Sequence, residues 1–195
     1  MMDQKFKKDS FLYGNFISEN LCDEILKFYN ENDKLKIDGT IGSNILNERN
    51  KKSTEIVLAP KMFFKLFPDY SKFLDNILQE YLNVYHFANE AEKFNIYDVI
   101  KIQHYKPGEG FYKWHYENDG KIHCIQRHLV FMTYLNDVEN GGTEFYYQDL
   151  KVPAKKGYTI IWPAGWTHTH RGVISDTQDK TIVTGWFDFE YLSKK

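Results

Sequence analysis

The segment Tyr105–Glu117 reads YKPGEGFYKWHYE, and its last three residues place two metal-ligand residue types two positions apart. On an extended strand, successive side chains point to opposite faces, so His115 and Glu117 leave the same face while Tyr116 points away. An imidazole and a carboxylate on one face can hold one ion. The pair alone is a weak signal, because any histidine followed two residues later by a carboxylate satisfies it.

A second stretch strengthens the metal interpretation. Residues 157–173 read GYTIIWPAGWTHTHRGV, which indicates a buried strand, a Pro-Gly turn and two histidines, His168 and His170, spaced to share a face. A third ligand from this later region would put two imidazoles and one carboxylate on one side of a metal and leave the opposite positions open. That ligand set is the facial triad of non-haem Fe(II) sites.

The length and charge of the chain restrict its class. A chain of 195 residues is long enough for one well-cored domain, and we expect a single domain over residues 1–195. Lysine and arginine (25) nearly balance aspartate and glutamate (27), which gives a net charge of -2. This charge is too small to collect nucleic acid by electrostatics alone, so a nucleic-acid partner is disfavoured.

The cysteines and the hydropathy pattern indicate where the protein works. The two cysteines, Cys22 and Cys124, are far apart in the sequence and do not resemble a disulfide framework or a cysteine-rich zinc site. We therefore expect the reducing cytoplasm. No apolar run approaches the roughly 18 residues of a membrane span, so the sequence predicts a soluble protein without a membrane partner.

The first half of the chain predicts mainly helices. Phe11–Ile17 is a candidate edge strand, and Ser18 is a candidate cap for a helix from about residue 19 to residue 31. The segment Asn32–Ser53 is polar and glycine-containing, and it is predicted to be mostly loop. Apolar residues then recur at helical spacing from Tyr70 to Tyr85, which predicts a second amphipathic helix that packs on a sheet.

After Phe94 the pattern changes to short strands rich in β-branched and aromatic residues. The predicted fold class is α+β, a double-stranded β-helix (jelly roll) buttressed by the N-terminal helices. The helical support occupies roughly residues 1–94 and the jelly-roll core roughly residues 95–195. Gly141-Gly142 is assigned to a turn. The predicted strands are Asp98–Tyr105, His128–Leu135, Thr143–Tyr147, Tyr158–Pro163 and Thr181–Phe189.

These motifs, in this order, resemble the Fe(II)- and 2-oxoglutarate-dependent dioxygenases, and within them the prolyl 4-hydroxylase-like branch. The resemblance covers most of the chain and rests on several motifs together. They are the segments Phe11–Cys22, Tyr105–Glu117, Tyr134–Phe145 and Lys156–Trp186.

The resemblance implies a role for two cosubstrate-binding residues. In the family, a basic residue follows the distal histidine by ten positions and pairs with the far carboxylate of 2-oxoglutarate. Counting from His170 gives Lys180, whereas counting from His168 gives Gln178. The family tyrosine ahead of the first ligand histidine, which also binds the cosubstrate, matches Tyr105.

The resemblance also implies the metal ligands His115, Glu117 and His170. The usual second ligand of the family is aspartate, so Glu117 departs from the pattern, and its extra methylene must be accommodated by a shifted backbone or another coordination mode. His168 as the ligand in place of His170, and Asp119 in place of Glu117, stay open as alternatives.

The implied activity is hydroxylation of an unactivated carbon, with a prolyl residue of a peptide or protein as the expected substrate, O2 consumed, and succinate and CO2 released. The implied cofactors are Fe(II) and the cosubstrate 2-oxoglutarate, with L-ascorbate as a further candidate. A hydroxylase of a small molecule or free amino acid is the alternative within the class. A non-catalytic metal- or ligand-binding jelly roll is the alternative from another class. Zinc-dependent hydrolysis is a further rival, but it leaves Lys180 and Tyr105 without a role.

Overall fold

The computed structural model describes residues 6–41 and 45–190, so Gly42 of the predicted loop lies outside the described residues. The described residues form the helices α1 (Glu19–Glu31), α2 (Pro60–Leu66) and α3 (Pro68–Val84). Their strands, in chain order, are β1 (Tyr13–Phe16), β2 (Ile37–Asp38), β3 (Thr54–Leu58), β4 (Phe94–Asn95), β5 (Ile100–Tyr105), β6 (Arg127–Tyr134), β7 (Val138–Phe145), β8 (Leu150–Ala154), β9 (Tyr158–Pro163), β10 (His170–Gly172) and β11 (Lys180–Phe189).

Both predicted helices are present. The hydroxyl of Ser18 accepts a hydrogen bond from the Leu21 N–H (3.4 Å), which caps α1 as the sequence indicates. α3 begins at Pro68, a favourable first helical residue because proline has no N–H to satisfy there. The short helix α2 was not predicted, since seven residues are too few for a clear helical period. No helix of the described residues is long and apolar enough to cross a membrane.

The strands form two antiparallel sheets. The major sheet has the order β1-β9-β6-β11-β5-β3-β2, with β4 beside β11, and the minor sheet has the order β10-β7-β8. β1 lies at an edge, as predicted, and the five strands predicted after Phe94 correspond to β5, β6, β7, β9 and β11. β1, β2 and β3 join the major sheet, so the first half of the chain contributes strands as well as helices.

The major sheet is apolar on both faces, because helices cover one face and the minor sheet covers the other. Along β6, Leu129 and Phe131 point into a core shared with α3 residues such as Leu74. Val130 and Met132 alternate with them and point into a second core that contains residues of the minor sheet. A sheet buried on both sides in this way gives the α+β jelly roll with helices outside that the sequence predicts.

The turn predicted at Gly141-Gly142 is wrong, because both glycines lie within β7. The register between β7 and β8 shifts between Val138 and Thr143, which makes this stretch a bulge. Gly142 has a φ of 109°, and a Cβ at this position would lie 2.0 Å from the Val152 carbonyl oxygen. Glycine is therefore required here for backbone geometry inside a strand, a role whose sequence signal is the same as that of a turn.

Candidate metal centre

Three side chains from separate parts of the chain meet between the two sheets. His115 and Glu117 follow the loop after β5, and His170 begins β10. The Nε2 atoms of His115 and His170 lie 3.6 Å and 3.5 Å from Oε1 of Glu117. All three ligand atoms lie within 4.8 Å of one another, a spacing suited to one ion.

The backbone joins the two histidines directly. The N–H of His115 donates to the carbonyl of His170 (3.0 Å), and the N–H of His170 donates to the carbonyl of His115 (2.8 Å). This isolated antiparallel bridge fixes the spacing of the two imidazoles. Two backbone hydrogen bonds thus fix the relative position of two ligands that lie 55 positions apart in the sequence.

Both imidazoles are oriented by a second hydrogen bond. Nδ1 of His115 lies 2.9 Å from the Lys113 carbonyl, and Nδ1 of His170 lies 2.8 Å from the His168 carbonyl. Since a carbonyl only accepts, each Nδ1 carries the proton and each Nε2 presents its lone pair toward Glu117. This is the tautomer that binds a metal through Nε2.

Glu117 is held by two donors on one of its oxygens. The indole N–H of Trp186 (3.0 Å) and an Nη1–H of Arg127 (3.2 Å) both donate to Oε2. Arg127 also donates to the Glu117 carbonyl oxygen (3.2 Å) and lies 3.6 Å from the centroid of the Trp186 ring. We call Arg127 and Trp186 the carboxylate clamp. It leaves Oε1 to face the histidines, and it accommodates the longer glutamate side chain.

The charges of the site favour a cation. Burial alone would raise the pKa of Glu117, but the neighbouring imidazoles of His115 and His170 and the charge of Arg127 outweigh it and hold the pKa well below its usual range. Burial, followed by the proximity of His170, lowers the pKa of His115. An ionised carboxylate beside a neutral imidazole is the protonation state that a divalent metal requires. The donor set therefore fits Fe(II).

Tyr105 and Lys180 lie opposite each other on the neighbouring strands β5 and β11. The Lys180 ammonium is 5.3 Å from the centroid of the Tyr105 ring and donates to the Val173 carbonyl (2.8 Å). Lys180 is buried and forms no ion pair within the described residues, and burial lowers its pKa to about 8. A buried ammonium without a carboxylate partner fits an anionic ligand.

A cavity of about 450 Å³ contains all five of these side chains in its wall, which places the ammonium and the metal ligands around one space. This volume lies within the range of sites for small ligands. The cavity therefore offers room for a dicarboxylate between Lys180 and the metal ligands.

The two alternative ligands lie elsewhere. His168 belongs to a short 3-10 turn before β10, so it does not share a face with His170. Its Nε2 lies 3.0 Å from the Ser10 carbonyl and its Nδ1 lies 3.0 Å from the Thr167 hydroxyl, and burial lowers its pKa to about 4. Asp119 forms an ion pair with Lys121 and does not contact the two site histidines.

Lys51 reaches the cavity from the segment predicted to be a polar loop. It is 2% exposed and forms an ion pair with Glu55, which also lies 3.4 Å from the Lys101 ammonium. The Lys51 ammonium is 5.6 Å from the centroid of Phe111, and that ring stacks on His115 at 3.5 Å. Sequence reasoning missed this residue, because a run of charged residues ordinarily indicates a solvated loop.

Comparison with known proteins finds one matching family model and solved structures with the same fold. Residues 100–188 match the model of the 2OG-Fe(II) oxygenase superfamily. No curated protein matches the chain in sequence.

Solved structures share the fold at low sequence identity. A viral collagen prolyl hydroxylase from Paramecium Bursaria Chlorella virus-1, in complex with 2OG, is 20% identical over 92% of this chain and 97% of its own, with a TM-score of 0.67. A prolyl-4-hydroxylase from Pseudomonas putida is 15% identical over 92% and 93%, with a TM-score of 0.65. A prolyl hydroxylase from Trichoplax adhaerens, in complex with a hypoxia inducible factor peptide, is 13% identical over 91% and 82%, with a TM-score of 0.66. These likenesses confirm the predicted fold.

Proposed function

We propose that the chain is a 2OG-Fe(II) oxygenase, the superfamily whose model matches residues 100–188, and that it hydroxylates a prolyl residue of a peptide or protein. The observation that carries the proposal is the convergence of two Nε2 atoms and one Oε1 atom on a single point. In this proposal, residues 1–195 act as one domain.

His115, Glu117 and His170 would hold Fe(II) through Nε2, Oε1 and Nε2. Bound Fe(II) supplies the oxidising chemistry: one O2 and one 2-oxoglutarate are consumed, the carbon–hydrogen bond becomes a carbon–hydroxyl bond, and succinate and CO2 are released. L-ascorbate would act as the reductant that keeps the iron in its ferrous form.

In this proposal the residues of the chain bind the cosubstrate and orient the metal ligands. Lys180 would donate charge-assisted hydrogen bonds to the distal carboxylate of 2-oxoglutarate. The Tyr105 hydroxyl, which donates to Oε1 of Gln103 (2.7 Å), would turn to the same carboxylate as a further donor. The carboxylate clamp keeps Oε2 of Glu117 engaged, so Oε1 would be the oxygen that binds the metal. Lys180 is buried, so its contact with the distal carboxylate would be little screened by water and therefore stronger.

Two observations support a peptide substrate. The solved structures with this fold include prolyl hydroxylases, one of them in complex with a peptide. In addition, Trp114 on the cavity wall packs edge-to-face on Tyr146 (5.2 Å), and Tyr147 packs similarly on Trp166 (5.7 Å). Exposed aromatic surfaces of this kind bind proline-rich segments. Such segments adopt an extended polyproline II conformation before they bind, so binding costs little conformational entropy.

The free thiols of Cys22 and Cys124 support a reducing compartment, and we propose the cytoplasm. A small molecule or free amino acid as substrate is the alternative within the class.

The decisive experiment is an anaerobic titration of the Fe(II)-loaded protein with 2-oxoglutarate. We expect the weak visible charge-transfer band of an iron-chelated 2-oxo acid, and we expect its loss in His170→Ala. Oxygen-dependent succinate formation is then measured with proline-rich peptides and with free proline. Iron binding without the band would overturn the dioxygenase proposal, and turnover of free proline alone would overturn the peptide substrate.

A further inference from the structure

A second group of metal-ligating side chains lies on the wall of the same cavity. Asp119, His123 and Cys124 bring a carboxylate oxygen, an imidazole nitrogen and a thiol sulfur within 4.8 Å of one another. All three belong to the segment that joins Glu117 to β6. The oxygenase reaction proposed above gives none of them a role.

The backbone that carries these side chains is braced. The side-chain amide of Asn118 donates to the carbonyls of Ile125 and Arg127, each over 3.0 Å, and so ties the start of the segment to its end. The N–H of Gly120 donates to the Asn118 side-chain oxygen (3.2 Å), and Cys124 N–H donates to the Lys121 carbonyl (3.0 Å). A braced segment loses little conformational entropy when an ion binds to it.

The thiol and the carboxylate are already hydrogen-bonded to each other where an ion would bind. The Cys124 thiol donates to Oδ1 of Asp119 over 3.0 Å, and Cys124 is 3% exposed. The Lys121 ammonium pairs with the other oxygen, Oδ2, whereas the Lys121 backbone N–H donates to Oδ1 (3.2 Å) and orients it beside the thiol. An ion that displaces the thiol proton would bind sulfur at about 2.3 Å and oxygen at about 2.0–2.2 Å.

We propose that Asp119, His123 and Cys124 bind one zinc ion at a site separate from the Fe(II) centre. A thiolate, an imidazole and a carboxylate together favour Zn²⁺, whereas the two imidazoles and carboxylate of the other site contain no sulfur. Binding replaces the thiol proton by the metal, and the proton passes to solvent. Water completes the tetrahedral coordination.

The position of this zinc site links it to the Fe(II) centre. The segment it would fasten carries Glu117 at one end and Arg127 of the carboxylate clamp at the other. Bound zinc would therefore stabilise the segment that places the carboxylate ligand. Zinc binding itself does not depend on the oxygenase activity, so it can be tested without turnover.

The test uses Co²⁺ as the probe on the reduced full-length protein. Co²⁺ bound by a thiolate gives an intense near-ultraviolet charge-transfer band, which the sulfur-free Fe(II) centre cannot produce. Because Co²⁺ also enters the Fe(II) centre, total binding should reach two Co²⁺ per chain, and the band should report only the ion bound by Cys124 and disappear when Zn²⁺ is added. Cys124→Ser should lose the band, whereas Cys22→Ser, which alters the other buried cysteine, should retain it. His123→Ala should weaken Co²⁺ binding at this site at least ten-fold.

Three results would overturn the zinc site. They are a wild-type protein without the band, a band retained in Cys124→Ser, and a band that Zn²⁺ does not displace. If circular dichroism shows that Cys124→Ser does not fold, Asp119→Asn and His123→Ala provide the test. These side chains are more exposed than Cys124, so their substitution should disturb folding less. Unchanged Co²⁺ affinity in both would then exclude the site.

Discussion

The indole N–H of Trp186 donates to Oε2 of Glu117 over 3.0 Å, across 69 positions of the sequence. Together with Arg127, this contact occupies the oxygen that points away from the two histidines. A glutamate can reach farther than an aspartate and can also adopt more rotamers. The clamp removes that freedom, so the site gains a single-oxygen ligand from a flexible side chain.

Removing the indole donor should weaken metal binding. Trp186→Phe keeps the ring that packs against Arg127 but deletes the N–H, which leaves Glu117 with one donor on Oε2. We expect the affinity for Fe(II), or for Co²⁺ as a substitute, to fall roughly ten- to hundred-fold. The measurement is an anaerobic titration by calorimetry. Trp166→Phe, at an exposed tryptophan, is the control, and equal affinities in the two variants would contradict the role of the clamp.

Shortening the carboxylate ligand should harm this site. Glu117→Asp withdraws the carboxylate by about 1.5 Å, so it cannot both reach the clamp donors and face the histidines. We expect at least ten-fold weaker metal binding in the same titration. Glu31→Asp, on the exposed face of α1, controls for the shortening itself. Tighter binding in Glu117→Asp would mean that the clamp does not position the ligand.

Loss of the buried ammonium should affect the cosubstrate but not the metal. Lys180→Met preserves the length of the side chain and removes its charge, so the distal carboxylate of 2-oxoglutarate loses a charge-assisted hydrogen bond. We expect the Kd for 2-oxoglutarate to rise roughly ten- to hundred-fold while metal affinity is retained. Lys155→Met, at an exposed lysine, should change neither value. Unchanged cosubstrate affinity in Lys180→Met would remove Lys180 from the site.

The same substitution should change how stability depends on pH. Burial lowers the pKa of Lys180 to about 8 from 10.5, so between these values the unfolded chain binds a proton that the folded chain has released. The free energy of unfolding should therefore rise with pH across this window, and the cost of the buried charge is fully present below pH 8. Without ligands, Lys180→Met should be more stable than wild type near pH 7, by up to about 3 kcal/mol, and the difference should shrink by pH 10. Urea unfolding at both pH values measures it, and a constant difference would contradict the shift.

Substitution of His168 and substitution of His170 should have different effects on metal binding. His170→Ala should abolish Fe(II) binding, since it removes an Nε2 ligand. His168→Ala should leave binding intact but lower the free energy of unfolding by about 1–3 kcal/mol, because the buried carbonyl of Ser10 loses its donor. Metal titration and urea unfolding of both variants give the two readouts. Loss of iron in His168→Ala alone would reverse the assignment.

The sequence predicts those parts of the fold in which apolar residues recur at a regular spacing. α1 and α3 each present an apolar face over several turns, and strands such as β9 are runs of apolar residues bounded by glycine and proline. β10 has three residues and β2 has two, which is too short for any pattern to appear. Their pairing is determined by partners distant in the sequence.

The same division applies to the candidate site. Tyr105, His115, Glu117, His170 and Lys180 were named from the motifs and from the family resemblance that these motifs carry, and the structure brings all five to one cavity. The carboxylate clamp was missed, because a single arginine and a single tryptophan carry no signal at separations of 10 and 69 positions. Such contacts follow from the order of strands in a sheet, which local sequence does not contain.

The order of strands also bears on how the protein is made. β11 is the last strand of the described residues, yet it lies in the middle of the major sheet between β5 and β6, and it carries both Lys180 and Trp186. Until the ribosome has released this strand, β5 and β6 each expose an unpaired apolar edge to other nascent chains. Most pairings in the sheet span long stretches of sequence, which slows folding. Completion of the candidate site therefore has to wait until β11 has been synthesised, and aggregation competes with folding until then.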